Sequence, residues 1–236
     1  MSQLLPLFPS ARPRPPVIVA QASPAATPAG PAAEGEASAV AASGAALMTV
    51  EVASRMLPGA PLRNVADNLP HVLAGLDEFG LSDRPMLLMA IATIAAETAS
   101  FRPVDEGISR FNTSPGGHPF DRYDDRRDLG NRGRPDGARF KGRGYVQLTG
   151  RDNYARIGAR LGVALEDRPE LANDPALAGR ILAAFLASRE ARIRRALRDD
   201  DLAAARRLVN GGTHGLEAFT RAYRAGERAF ASATDG

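Results

Sequence analysis

Two glutamates, Glu97 and Glu106, stand on either side of Pro103. The first closes an apolar run, Ala92-Thr93-Ile94-Ala95-Ala96, and the second follows the proline on a polar stretch. Two carboxylates in such unlike settings suit acid–base hydrolysis of a glycosidic bond, in which one protonates the leaving oxygen while the other activates water. On an unbroken helix they would point to opposite faces, about 13 Å apart along the axis. Pro103 interrupts the helix. A returning loop then brings the second carboxylate across a cleft at roughly 6.5 to 9.5 Å, the separation that admits a water and predicts inversion. Desolvation at an apolar helix end suits Glu97 to the acid's part, and the polar loop suits Glu106 to the base's.

The elements that must position this pair read as mainly α, because apolar residues recur at helical spacing from Thr49 onward and strand alternation is scarce. The spacing predicts helices over 49–56 and 68–79, the latter carrying Leu69, Val72, Leu73, Leu76 and Phe79 with Gly80 as its C-terminal cap. Ser82 or Asp83 caps the next helix, which runs to about Ser100 with Leu87, Leu88, Ile91 and Ile94 on its buried face. Between 103 and 142 the periodicity is lost to Pro, Gly, Asp and Arg, and a loop that long is usually functional. Helices resume over 153–161, from Asp174-Pro175 through Leu186, over 200–209 and over 215–231. The body thus reads as a single two-lobed helical domain from residue 48 onward, with a long loop region lining its groove.

Residues 1–47 are mostly Ala, Pro, Gly and Ser, too poor in large apolar groups to offset the entropy of ordering, and are expected to be a disordered segment. The early run Leu4-Leu5-Pro6-Leu7-Phe8 is short, broken by proline and preceded by no basic residue, so it does not read as an export signal. No apolar stretch is long enough to span a membrane. The expectation is a monomer made as a soluble cytoplasmic protein that reaches a cell wall after lysis or by specialised export. Cysteine is absent, which removes disulfides within the chain and thiolate chemistry, and the histidines His71, His118 and His214 are scattered. No metal or organic cofactor is implied, since the two-carboxylate mechanism needs only water. With 30 basic and 27 acidic residues the formal charge is +3. Basic and acidic residues are interleaved and no reading motif is present, which argues against nucleic acid as partner.

Around the glutamates lie further motifs: Ala96-Glu97-Thr98, Asp128-Leu129-Gly130-Asn131, Gly142-Arg143-Gly144-Tyr145-Val146-Gln147-Leu148-Thr149-Gly150 and Val209-Asn210-Gly211-Gly212. In this order, across about 50 to 232, they resemble the family 19 glycoside hydrolases, particularly the compact bacterial and phage type that includes endolysins. The resemblance implies a lysozyme-like, mainly α fold and inverting hydrolysis of β-1,4 bonds next to N-acetylated sugars. It makes Glu97 the general acid, Glu106 the general base and Thr149 the hydroxyl that helps hold the attacking water. Gln147, Asn153 and Asn210 match residues that bind sugar amide and hydroxyl groups, Tyr145 matches a cleft-lining side chain, and Arg221 stands as the candidate for a substrate arginine in the last helix. Where many relatives carry His before the acid this chain has Ala96, and Asp105 adjoins the base. The arginine-rich segment 121–139 suits an anionic polymer, although Asp121, Asp124, Asp125, Asp128 and Asp136 temper its charge. Peptidoglycan is therefore the expected substrate, with a chitin-like glycan as the alternative. A catalytically weakened module that binds cell-wall glycan is the alternative of another class.

Overall fold

The computed structural model describes residues 48–98, 100–212 and 214–234, so the expected disorder of residues 1–47 lies outside the described residues. Among these, helices carry the fold and no strand is present beyond one isolated antiparallel bridge, Arg143 to Leu148. The mainly α architecture expected from the periodicity is the observed one. None of the described helices is long and apolar enough to cross a membrane.

The first three helices are α1 (Val50–Met56), α2 (Leu62–Glu78) and α3 (Arg84–Glu97). Thr49 caps α1 by accepting from the Val52 amide, and Asp83 caps α3 by accepting from Met86. Helix α2 starts six residues earlier than its pattern predicted, because its buried stripe opens with Val65 and continues through Leu69, Val72 and Leu76. Each such side chain stabilises the fold by roughly 1.5–3 kcal/mol on burial. Gly80, at φ 66°, ends the helix in the left-handed conformation expected of it. Helix α3 ends at Glu97 rather than near Ser100, with Thr98 already extended at ψ 100°.

Short elements fill the long loop, α4 (Asp121–Asp124) and α5 (Asp136–Arg139), and then come α6 (Arg151–Leu161) and α7 (Pro175–Ala187). Asp174 caps α7 through the Leu177 amide, with Pro175 at its first position as read from the sequence. The last three are α8 (Glu190–Arg198), α9 (Leu202–Asn210) and α10 (Leu216–Thr234). Helix α8 was not anticipated.

Helix α7 packs along α2, and α10 packs on α3 and α1. The α2–α7 crossing is close enough to require glycine on both sides. A Cβ on Gly75 would lie 2.5 Å from the Gly179 carbonyl carbon, and one on Gly179 would lie 2.3 Å from the His71 oxygen. Helix α3 is buried nearly all round between these layers, from Met86 through Ile94, so its C-terminal carboxylate is held by a rigid, centrally placed element.

Candidate active site

Glu97 closes α3 with its side chain only 11% exposed. Its Oε1 accepts a 2.6 Å hydrogen bond from Nη2 of Arg206, whose side chain is fully buried. The apolar helix end read from the sequence therefore has an ionic floor. Arg206 lies on α9, and its Nε donates to the His214 carbonyl at 3.0 Å, as does Nδ2 of Asn210 one turn further on. Three buried polar atoms around this carboxylate have no partner among the described residues: Thr98 Oγ1, Arg206 Nη1 and Asn210 Oδ1. Buried polar atoms are nearly always paired, so this concentration beside one glutamate marks a place built for polar contact.

Glu106 is held differently. Its Oε1 accepts from Nδ2 of Asn112 at 2.9 Å and from the Tyr123 hydroxyl at 2.8 Å, and its Oε2 accepts from the Gly142 amide at 3.0 Å. The Glu106 amide in turn donates to the Gly142 carbonyl at 2.8 Å. A carboxylate only accepts, and these donors from three segments fix its orientation. Burial, then the Glu106 charge, push the Tyr123 phenol well above its ordinary pKa, so it remains a donor. The close pairing needs Gly142, where a Cβ would lie 2.8 Å from Gln147 Oε1 and 3.1 Å from Glu106 Oε2.

Asp105, the adjacent carboxylate, serves other partners. It meets Lys141 Nζ at 2.6 Å, Arg143 Nε at 3.1 Å and Asn173 Nδ2 at 2.7 Å. Burial raises its pKa, but hydrogen bonds from Lys141 and Asn173 and the charges of Arg143 and Lys141 outweigh this and hold it below the usual carboxylate range.

The glycine-rich run 142–150 forms the hairpin that carries Gly142 to Glu106. Arg143 and Leu148 exchange backbone hydrogen bonds of 3.2 and 2.9 Å across it. Gln147, at φ 50°, uses Nε2 on the Val104 and Gly144 carbonyls, so its amide nitrogen ties the chain at Val104 to the hairpin. Thr149 is buried, and its Oγ1 donates to the Gln147 carbonyl at 2.8 Å. Gln147 and Thr149 thus gather with Glu106, and Asn210 gathers with Glu97.

The remaining expected residues lie elsewhere. Tyr145 is wholly buried, with its ring 6.1 Å from that of Phe101 and its hydroxyl donating to Asn68, so it braces the hairpin from inside the core. Asn153 is buried on α6, where Nδ2 donates to the Thr149 carbonyl and Oδ1 accepts from Arg156. Arg221 is exposed on α10 and pairs with Glu217 at 2.9 Å. The arginine that meets a candidate catalytic group is instead Arg206. Its signal in the sequence was its place four residues before Asn210, on the same helical face. Asn112 and Tyr123 fell in the patternless loop and carried no periodic signal.

Cavities of about 570 and 520 Å³ flank α8, and neither is lined by Glu97 or Glu106. Among the described residues no three acidic or histidine side chains converge as a metal-binding group.

Chitinase C from Streptomyces griseus HUT6037 shares the fold: the two superpose with a TM-score of 0.55 at 18% identity, over 78% of this chain and 77% of that one. A Glu-to-Gln mutant of chitinase C gives the same values. The likeness establishes the expected lysozyme-like, mainly helical fold. No family model matches the chain, and no curated protein matches it.

Proposed function

We propose that the chain, through its helical unit from residue 48 onward, is a glycoside hydrolase that cleaves β-1,4 bonds of an N-acetylated glycan with inversion. The observation that carries this reading is the contrast between the two glutamates, one desolvated at a helix end on a buried arginine and one fixed by three donors on a loop. Glu97 gives its proton to the glycosidic oxygen as the bond to the anomeric carbon breaks. Arg206 holds Oε1, which leaves Oε2 as the oxygen to carry the transferred proton. Glu106 takes a proton from a water whose oxygen attacks that carbon from the opposite face. The Thr149 hydroxyl gives its own hydrogen to the Gln147 carbonyl, so toward that water it acts as an acceptor. Asn210 Oδ1 is available to an acetamido N–H. The two protons are exchanged with solvent after each turnover.

Peptidoglycan is the substrate we favour. Within segment 121–139 three of the five aspartates pair closely with a basic side chain, while Asp125 stays exposed. Asp124 meets His118 at 3.0 Å, Asp136 meets Arg151 at 2.6 Å, and Asp128 meets Arg126 at 2.5 Å. Arg122, Arg132 and Arg134 remain exposed, which suits a polymer bearing carboxylates. A chitin-like glycan is the second reading, favoured by the fold shared with chitinase C. The test compares wild type with Glu97→Gln and Glu106→Gln on peptidoglycan and on colloidal chitin, by release of reducing ends. Each variant is expected to lose on the order of 10²–10⁴-fold in rate, and the better polymer identifies the substrate. Binding of either polymer by wild type without any cleavage would overturn the hydrolase reading in favour of a glycan-binding module.

A further inference from the structure

The larger cavity beside α8, of about 570 Å³, lies at the end of α3 away from the glutamate pair. Arg84, on its wall, is a helix length of about 20 Å from Glu97. Its walls come from α3, α8 and α10, and Pro85, Leu88 and Leu197 give it an apolar floor. A volume of this size matches the sites that take small organic ligands.

The ionic groups on these walls largely answer one another. Arg194 donates from Nε to Glu190 and from Nη1 and Nη2 to Asp83. Arg84 donates from Nη2 to the Glu227 carbonyl, with its guanidinium 5.4 Å over the Phe230 ring. Glu227 Oε2 accepts from Arg224, which also meets Asp200. Arg198 is the exception: it is exposed at the end of α8 and forms no ion pair among the described residues. Asp199 and Asp201, close to it in sequence, line the other cavity instead.

Tyr223 lines the same cavity and is only 5% exposed, yet its hydroxyl makes no hydrogen bond among the described residues. Unlike Thr98 Oγ1 it is not sealed in by protein, so the cavity is the open space that it meets. The Tyr223 ring stacks on Phe219 with centroids 6.2 Å apart, which fixes where the hydroxyl sits. Burial, then the Glu227 charge, push the phenol up to about 12, so it stays a donor. The cavity thus holds one unanswered cation, one unanswered hydroxyl and an apolar floor.

We propose that this cavity binds the carboxyl-terminal end of a short peptide with small apolar side chains, at a site separate from the glutamate pair. The terminal carboxylate meets Arg198, a peptide carbonyl accepts from the Tyr223 hydroxyl, and the side chains lie on Leu88 and Leu197. A bare inorganic anion would leave the apolar floor uncovered. A neutral apolar molecule would leave the arginine and the hydroxyl unanswered.

Calorimetric titration of the full chain with N-acetyl-Leu-Ala-Ala, as the free acid and as its C-terminal amide, tests this. Saturable binding of the acid is expected, about tenfold or more tighter than that of the amide. Arg198→Gln is expected to bring the acid down to the affinity of the amide, and because Arg198 is exposed that variant retains the fold. Tyr223→Phe keeps the stacked ring and is expected to weaken both probes roughly threefold to tenfold. Arg63→Gln, at an arginine 90% exposed on α2, leaves both unchanged. The proposal is overturned if the acid does not saturate, if acid and amide bind alike, or if Arg198→Gln keeps the preference for the acid. Binding by Tyr223→Phe as tight as that of wild type would overturn it as well.

Discussion

Glu97 ends an apolar helix and is gripped by one fully buried arginine from α9, whereas Glu106 rises from a loop and accepts hydrogen bonds from residues 112, 123 and 142. The first arrangement concentrates its support in a single contact inside a rigid core. The second distributes it over segments that have little helical structure. In the proposed mechanism the proton donor and the group that orients water are thereby set in environments of opposite kind, one dry and singly anchored, one polar and multiply anchored.

The largest effect expected on stability comes from cutting the single anchor. Arg206→Met leaves Glu97 buried without its counter-charge and is expected to cost about 3–5 kcal/mol in urea unfolding. Combining it with Glu97→Gln should recover much of that loss, and a double variant no more stable than Arg206→Met would break the single-anchor picture. Next in size is Gly179→Ala, which forces the α2–α7 crossing apart at the His71 carbonyl. It is expected to cost about 1–3 kcal/mol, lowering the thermal midpoint while leaving the Gly142 amide as protected from hydrogen exchange as in wild type.

Tyr123→Phe removes one of the three donors to Glu106. Because two remain, the expected loss is only about 0.5–1.5 kcal/mol, and a larger loss would show that the loop side is not distributed at all. The smallest effect is acid sensitivity. Asp105 and Asp136 have carboxyl pKa values held below the ordinary range, Asp136 chiefly by hydrogen bonds from Arg151. Below about pH 4 the unfolded chain binds more protons than the folded one, so stability that is present above that pH falls away as pH drops through the folded values. The loop side carries these groups, and hydrogen exchange at the Gly142 amide is expected to quicken in acid before exchange along α3.

The same contrast decided how much could be read from the sequence. Helix α3, its cap Asp83 and the Asp174-Pro175 start of α7 carry local signals, and their positions followed from capping chemistry and periodicity, whereas the glycine-rich run stood out through the resemblance and its turn-forming glycines. Helix α8 is short and rich in arginine but strongly amphipathic, with Ile193 and Ala196 on its buried side, so its periodic signal was legible in the sequence although the expected helices did not include it. In the long loop, Asn112 and Tyr123 meet Glu106 only through tertiary folding, across separations of 6 and 17 residues that no local pattern encodes. Arg221 was the expected arginine by its place in the last helix, yet it is exposed and paired with Glu217, while Arg206 reaches Glu97 from a residue 109 positions away. Tyr145 was expected in the cleft from the resemblance alone, but the hairpin turns its ring inward onto Phe101.

The central claim is that a water activated by Glu106 attacks the face opposite the bond that Glu97 cleaves. Proton NMR of the first products released from a β-1,4-linked N-acetylglucosamine-containing oligomer tests it most directly. The account predicts the α-anomer at the new reducing end before mutarotation, and an initial β-anomer would contradict it.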